Sequence, residues 1–379
     1  MSPRTLHVVA PPRERALLAG APRKGSRDAK HAEEHLDELA RLADTAGAAV
    51  VGRVLQMVQS PDPHFYLGRG KVETVKALAV EAGATLLIFD EELSPSQGRH
   101  LEEALGVRVM DRTELILDIF ALRARSHEAR TQVELAQLQY LVSRLTRMWV
   151  HLSRIRGGIG LRGPGETQIE TDRRAIRQKI GHLKKELEQV TEHRARTRSR
   201  SRERDLLRIA LVGYTNAGKS SLLKALTGAA AHVEDRLFAT LDTLSRETVI
   251  AGTRVRFTDT VGFIRKLPHD LVASFRATLE EALEADVLLH VVDVAHHAWE
   301  DQAQVVHGAL EDAGVDATHR VVVALNKVDL LAEDDRAERL ALAESHGWEA
   351  VLASATTGAG LDALAQRITT PSEGQSVRR

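Results

Sequence analysis

One segment of the chain has the residue types and spacing of a phosphate-binding loop. Residues Gly213–Ser220 read G-Y-T-N-A-G-K-S and match G-x-x-x-x-G-K-[ST] between a strand-like segment, LRIALVG, and a helix-like one, SLLKALTG. The glycines let successive backbone N–H groups turn inward around phosphates, and the N-terminus of the following helix adds partial positive charge. Lys219 is therefore expected to reach the β- and γ-phosphates, and Ser220 to hold Mg²⁺ through its hydroxyl.

Three later segments indicate which nucleotide this loop would take. Residues 259–262 (D-T-V-G) offer a carboxylate that can anchor Mg²⁺ through water and a glycine N–H for the γ-phosphate. In residues 326–329 (N-K-V-D), Asp329 can accept two hydrogen bonds from the guanine N1 and 2-amino edge, a pair of donors that adenine lacks. Residues 354–356 (S-A-T) can offer a backbone N–H to guanine O6. Each segment follows a predicted strand, where open α/β sheets bind ligands, so the sequence predicts GTP rather than ATP.

The segment DRLFATLDTLSRETV, between the loop and Asp259, should contain a threonine that binds Mg²⁺ and the γ-phosphate only in the triphosphate state. Thr240 and Thr243 are both candidates. Thr240 is favoured because Phe238 and Leu241 could anchor it, but the residues alone leave the choice open.

Position 263 bears on the rate of hydrolysis. Many GTPases place a polar side chain after the D-x-x-G glycine to orient the attacking water, and here that residue is Phe263, which can neither donate nor accept a hydrogen bond. We therefore expect slow intrinsic hydrolysis and a need for an external activator. The alternative is that Phe263 packs in a core and another side chain positions the water.

The elements that would position these residues begin with a small α/β domain. Four segments have the pattern of strands: TLHVVA, AAVVGRVLQMV, TLLIFD and VRVMD. Three segments have the pattern of helices: AKHAEEHLDELARLADTAG, LGRGKVETVKALAVEAG and SPSQGRHLEEALG. The last of these helices has Ser94 as N-cap and Pro95 at its first position. This alternation predicts a mostly parallel sheet in a domain spanning residues 1–110.

A helical hairpin is predicted over residues 111–206. From Asp111 to about Arg156 there is neither proline nor glycine, and apolar residues recur every three or four positions, which predicts one helix of about forty residues. The glycine-rich loop 157–165 cannot be helical, and helical composition resumes after it. This loop and the arginine-rich run 194–208 allow two interpretations. In one, the loop is flexible and the run is a solvated linker; in the other, both contact a phosphate backbone. Residues 207–370 then form a C-terminal, doubly wound P-loop GTPase domain, and 371–379 a short tail.

Several long strings closely resemble the HflX family of GTPases, in the Obg-HflX group: GYTNAGKS, DRLFATLDT, DTVGFIRKLPHDL and GGIGLRGPGETQIETDRR. The resemblance covers roughly residues 4–369, including YLGRGKVE in the first domain. It implies that Thr240 is the switch threonine. It also implies a GTPase that associates with the large ribosomal subunit, contacts its rRNA through the first domain and the hairpin, is activated there, and acts in ribosome splitting, rescue or biogenesis. Some members carry a further domain after the GTPase domain, and we expect its contacts to be absent here.

Residues and resemblance together predict the site. The predicted catalytic residues are Lys219, Thr240 and Gly262. The predicted Mg²⁺ ligands are Ser220, Thr240 and Asp259. The residues predicted to contact GTP or GDP are Gly213, Tyr214, Thr215, Asn216, Ala217, Gly218, Lys219, Ser220, Ser221, Phe238, Ala239, Thr240, Leu241, Asp242, Asp259, Thr260, Val261, Gly262, Asn326, Lys327, Val328, Asp329, Ser354, Ala355 and Thr356.

Composition limits the alternatives. The 379 residues carry 52 basic and 53 acidic side chains, a net charge of −1, so attraction to polyanions must be local. The absence of cysteine excludes disulfides, iron–sulfur clusters and thiol nucleophiles. No apolar run approaches the length of a membrane span, and the start lacks a signal-peptide core. We expect a cytoplasmic monomer that binds no DNA. The competing hypothesis is a GTPase switch that regulates a protein partner through its helical hairpin.

Overall fold

The computed structural model describes residues 13–155, 164–200, 206–228, 237–238, 240–242, 244–266, 283–315 and 319–370, without the side chains of 143, 145–155, 164–170, 172, 191 and 193–200. The chain divides into two compact units. The first holds residues up to 122 together with 140–173, and the second holds 123–139 together with the residues from 174 onward.

The first unit is built on a four-stranded, fully parallel sheet with the order β2-β1-β3-β4. Its strands are β1 (Arg15–Gly20), β2 (Ala49–Leu55), β3 (Leu86–Phe89) and β4 (Arg108–Asp111). The helices that accompany them are α1 (Arg27–Lys30), α2 (Ala32–Thr45), α3 (Arg69–Glu81), α4 (Pro95–Leu105) and α5 (Arg112–Arg123). The predicted α/β alternation is confirmed, and Ser94 caps α4 with Pro95 at its first position as expected.

The sequence analysis missed β1, one of the two inner strands of this sheet. β1, with the sequence RALLAG, has five consecutive buried residues and pairs with both β2 and β3. Its alanines and leucines have no strong β-propensity, so only burial between two neighbouring strands makes it a strand. The predicted strand TLHVVA lies outside the described residues.

The prediction of a single helix from Asp111 to Arg156 is wrong. The structure contains α5 and a separate helix, α6 (His127–Ile155). The break falls at Ala124–Ser126, where the Ser126 hydroxyl accepts a hydrogen bond from the backbone N–H of Ala129 at 3.1 Å and so caps α6. A serine cap can start a new helix without any glycine or proline, which the periodicity does not reveal.

The helix after α6 is α7 (Pro164–Arg200), and it includes the last two residues of the predicted glycine-rich loop. Proline suits the first turn of a helix because its missing N–H has no intrahelical partner there, so Pro164 opens α7 and Gly165 follows inside it. The remainder of the loop, residues 157–163, lies outside the described residues. So does the stretch 201–205 of the arginine-rich run.

The second unit contains a six-stranded sheet with the order β10-β9-β8-β5-β7-β6. All neighbours are parallel except β6, which pairs antiparallel with β7 at one edge. The strands are β5 (Leu207–Gly213), β6 (Leu244–Ile250), β7 (Thr253–Asp259), β8 (Val287–Asp293), β9 (Arg320–Asn326) and β10 (Glu349–Leu352). The further helices are α8 (Lys219–Thr227), α9 (Trp299–Ala313), α10 (Glu333–Ser345) and α11 (Leu361–Thr369), with a 3₁₀ turn at Val328–Leu330.

The strand order reverses beside β5, which lies between β7 and β8. In open parallel sheets a ligand crevice forms at such a reversal, outside the carboxyl ends of the strands. The predicted doubly wound, C-terminal GTPase fold is confirmed. Within the described part of the chain, no helix combines the length and apolar character needed to cross a bilayer.

Candidate nucleotide-binding site

The phosphate-binding loop leaves β5 at Gly213 and enters α8 at Lys219, with two positions where a side chain would not fit. A Cβ at Gly213 would lie 2.3 Å from the carbonyl oxygen of Val291, and one at Gly218 would lie 2.3 Å from Asn326 Nδ2. Gly218 also has a φ of 96°, a conformation that favours glycine. The close backbone of Val291 therefore explains the glycine at position 213, and the positive φ together with the Asn326 side chain explains the glycine at position 218.

Lys219 is buried inside this loop. Its Nζ donates hydrogen bonds to the carbonyl oxygens of Gly213, at 3.0 Å, and Tyr214, at 2.8 Å. Burial lowers the pKa of Lys219 to about 8, although the nearby carboxylate of Asp259 favours the charged form. The side chain thus holds the loop in its curled shape and places an ammonium group at its centre.

Ser220, Thr240 and Asp259 converge next to that ammonium. Ser220 Oγ lies 2.9 Å from Thr240 Oγ1 and donates to Asp259 Oδ2 at 2.7 Å. Thr240 Oγ1 donates to the same carboxylate oxygen at 3.1 Å. The structure therefore brings the three predicted metal ligands together, although they come from α8, the segment before β6, and the end of β7.

The cluster fits a hard divalent cation. Asp259 is fully buried, and burial raises the pKa of its carboxyl group, opposed by Lys219 and by the hydrogen bonds from Ser220 and Thr240. Its second oxygen, Oδ1, has no hydrogen-bond partner among the described residues. Two hydroxyls and a carboxylate with a free, buried oxygen are the donor types that Mg²⁺ and its bound waters take.

The backbone around Gly262 is equally tight. A Cβ at Gly262 would lie 2.9 Å from both Lys219 Nζ and Thr215 Cα. The next residue, Phe263, bridges the loop by donating its N–H to Gly213 O at 3.0 Å and accepting the Thr215 N–H at 2.7 Å. The Phe263 side chain is buried, which agrees with the packing part of the alternative interpretation, while its other part, a different side chain that positions the water, stays a prediction.

The end of β9 connects the loop to the region expected to hold the base. Asn326 Nδ2 donates to Ala217 O at 2.9 Å, and Asn326 Oδ1 accepts the backbone N–H of Ala355 at 3.1 Å. Through one amide, Asn326 links the phosphate-binding loop to the segment after β10.

The two specificity side chains that follow are each held by a partner. Lys327 Nζ pairs with Asp293 Oδ2 at 2.7 Å, and the Asp329 carboxylate accepts the Ser354 hydroxyl at 2.5 Å. The sequence analysis missed Asp293. Its only signal is a carboxylate at the end of a buried strand neighbouring β9.

The segment before β6 contains the remaining predicted residues. Phe238 and Leu241 are buried, as expected for anchors of Thr240. The Asp242 carboxylate accepts hydrogen bonds from the backbone N–H groups of Arg125 and Ser126 and from the Ser126 hydroxyl. Ala239 and the alternative switch residue Thr243 lie outside the described residues.

The chain matches three family models. These are the N-terminal region of GTP-binding GTPases over residues 33–121, their middle region over 123–201, and the 50S ribosome-binding GTPases over 208–327. The phosphate-binding loop, the Ser220–Thr240–Asp259 cluster and Asn326 all lie within the third match.

Known proteins resemble the chain over most of its length. GTPase HflX from Caldanaerobacter subterraneus subsp. tengcongensis is 52% identical over 300 residues, covering 79% of this chain and 70% of the relative. GTPase HflX from Escherichia coli is 44% identical over 345 residues, covering 90% and 80%. The crystal structure of SsGBP in complex with GDP is 26% identical with a TM-score of 0.53, covering 94% of this chain and 97% of that one.

Proposed function

Because the chain belongs to the HflX family of GTPases, we propose that it hydrolyses GTP with Mg²⁺ in association with the large ribosomal subunit. The observation that carries the catalytic part is the convergence of Ser220, Thr240 and Asp259 beside the buried Lys219. In support, these groups from α8, the segment before β6 and the end of β7 lie together where a triphosphate and its cation would bind.

At the phosphates, the chain supplies charge and oriented donors. Lys219 and the N-terminus of α8 stabilise negative charge on the β- and γ-phosphates, and Gly262 offers its N–H to the γ-phosphate. Ser220 and Thr240 would hold the cation through their hydroxyls, and Asp259 would hold it through bound water. When bound, Mg²⁺ neutralises charge on the phosphate oxygens during transfer to water.

At the base, the chain supplies selectivity. Asp329 accepts from the guanine N1 and 2-amino groups while Ser354 holds its carboxylate, and a backbone N–H of residues 354–356 is the donor for O6. The aliphatic stem of Lys327 covers one face of the ring. An adenine would leave the Asp329 carboxylate without donors, a large loss in binding for a site built around hydrogen bonds.

Thr240 is the switch in this proposal. This threonine would bind the cation and the γ-phosphate only in the triphosphate state, so hydrolysis releases the segment that carries it. The buried Phe263 offers no group that orients water, and we expect slow hydrolysis until an activator is bound.

We propose that this activator is the large ribosomal subunit and its rRNA, and that the protein acts in ribosome splitting, rescue or biogenesis in the cytoplasm as a monomer. In support, residues 208–327 match the 50S ribosome-binding GTPases, and the glycine-rich loop and arginine-rich run offer local positive charge on a chain of net charge −1. The proposed division is a first domain at 1–110, a hairpin at 111–206 and a GTPase domain at 207–370.

The experiment that tests this function is GTP hydrolysis by the purified chain, with and without purified large ribosomal subunits, at low and moderate salt. We expect slow basal hydrolysis, strong stimulation by the subunits, and stimulation that fades as salt rises, because phosphate contacts release counterions. A brisk basal rate with no stimulation would contradict the ribosomal proposal. Stimulation that does not depend on salt would instead favour a protein partner docked on the hairpin.

A further inference from the structure

The Asp242 carboxylate is joined to the first turn of α6. It accepts the backbone N–H of Arg125 at 3.0 Å and that of Ser126 at 3.2 and 3.3 Å, together with the Ser126 hydroxyl. Ser126 Oγ in turn accepts the backbone N–H of Ala129, within the same turn. One side chain therefore satisfies donors at the start of a helix more than a hundred residues earlier in the sequence.

The same residue lies two positions after Thr240. Two residues of extended chain span at most about 7 Å, so an anchored Asp242 limits how far Thr240 can move. The residue between them, Leu241, is buried, which fixes the segment further. Thr240 is held at the other end by its hydrogen bonds to Ser220 and Asp259.

The charge of Asp242 suits its place. The N-terminus of a helix carries partial positive charge and unpaired N–H groups, so a carboxylate there is stabilised by both. The sequence analysis placed Asp242 among the residues that touch the nucleotide, but every hydrogen bond described for its carboxylate goes to Arg125 and Ser126. An effect of this carboxylate on the nucleotide would therefore act through another residue.

We infer that Asp242 is a positioning residue for Thr240, and that its bonds to Ser126 couple the triphosphate state to the first turn of α6. The inference rests on the proposed role of Thr240 as the switch. Because coupling between two sites is reciprocal, a partner that stabilises the start of α6 raises the affinity for GTP, and GTP stabilises that turn.

The test compares the affinity of the full chain for a fluorescent, non-hydrolysable GTP analogue with Mg²⁺ and for fluorescent GDP. We expect Asp242→Ala to weaken binding of the analogue about tenfold, the scale of a missing helix cap, and to change GDP binding less than twofold. Ser126→Ala should act in the same direction, whereas Ser126→Thr, which keeps the hydroxyl, should bind as the unaltered chain does.

The matched control is Ser94→Ala, which removes the cap of α4 in the other unit. Ser94→Ala should change neither affinity. A loss of affinity in this control would show that weaker binding reflects a general loss of stability. The inference would be overturned if Asp242→Ala weakened the binding of both nucleotides equally. It would also be overturned if either Asp242→Ala or Ser126→Ala left the binding of the analogue unchanged. If the unaltered chain bound neither nucleotide, the proposed function itself would have failed instead.

Discussion

At the scale of single residues, the site depends on two opposite charges buried together. Burial lowers the pKa of Lys219 to about 8 and raises that of the Asp259 carboxyl group, so each ion would be unfavourable there alone. Each favours the charged form of the other, and the hydroxyls of Ser220 and Thr240 add hydrogen bonds to the carboxylate. Inside the closed loop each ion is therefore stabilised by the other and by these hydrogen bonds, which links the fold of the loop to its chemistry.

A second ion pair in this unit predicts a role for Asp293 in binding the base. Asp293 Oδ2 holds the Lys327 ammonium at 2.7 Å and so fixes the stem expected to cover the guanine ring. Asp293→Asn should weaken GDP and a GTP analogue equally, by about fivefold to tenfold, because the base is common to both. A hydrogen bond to a charged group contributes roughly 1.5–3 kcal/mol, and the amide keeps part of it.

The comparison is equilibrium binding of both nucleotides at saturating Mg²⁺. Asp334→Asn, an equal change of charge on an exposed residue in the first turn of α10, serves as the control and should have no effect. An effect confined to the triphosphate would place Asp293 with the switch rather than with the base.

At the scale of elements, β8 contains a histidine that makes stability depend on pH. His290 is fully buried, and desolvation holds its pKa well below the ordinary value, with the neighbouring His307 lowering it further. The ring is neutral in the folded chain, whereas in the unfolded chain it binds a proton below about pH 6.5. Stability is therefore unaffected above that pH and falls as the pH drops below it, by up to about 1.4 kcal/mol per pH unit for this group.

His290→Leu should remove that contribution. Urea unfolding at pH 7.5, 6.5 and 5.5, followed by tryptophan fluorescence, should show a smaller loss of stability toward low pH in the variant. Trp348, which stacks on His307, lies close enough to report unfolding of this region. His297→Leu, at an exposed position, is the control and should keep the slope of the unaltered chain. Identical slopes for His290→Leu and the unaltered chain would contradict the prediction.

Elements differ in how far their own sequence determines them. The helices α2, α3 and α4 and the strands before each nucleotide motif were predictable, because hydrophobic period, caps and motif context are local signals. β1 was not, since RALLAG becomes a strand only between β2 and β3. The break before α6 was missed because a serine cap interrupts a helical pattern without changing its period.

The parts of the site also differ in how far their own local sequence determines them. The phosphate-binding loop and the N-K-V-D segment are contiguous motifs, and their spacing predicts their chemistry. The bonds from Asp293 to Lys327 and from Asp242 to Ser126 join residues distant in sequence. A single sequence contains no record of such pairs, so only the folded chain reveals them.

At the scale of the whole molecule, the charge balance determines where a polyanion can bind. A net charge of −1 gives no overall attraction to RNA. Affinity for rRNA then has to come from short basic segments, of which the arginine-rich run 194–208 is the densest. Binding of this kind is recognised by its dependence on salt.

Replacing Arg196 and Arg198 with glutamine should therefore weaken binding to large ribosomal subunits and flatten its salt dependence. Each phosphate that is no longer neutralised should reduce the slope of log affinity against log salt by about 0.7–0.9. Cosedimentation over a salt series measures that slope, and GDP affinity in the same variant should stay unchanged because the nucleotide residues are intact. The matched control replaces Arg246 and Arg254, exposed residues of the β6–β7 hairpin, and removes the same charge. Equal slopes in the two variants would show that net charge, not the arginine-rich run, governs binding.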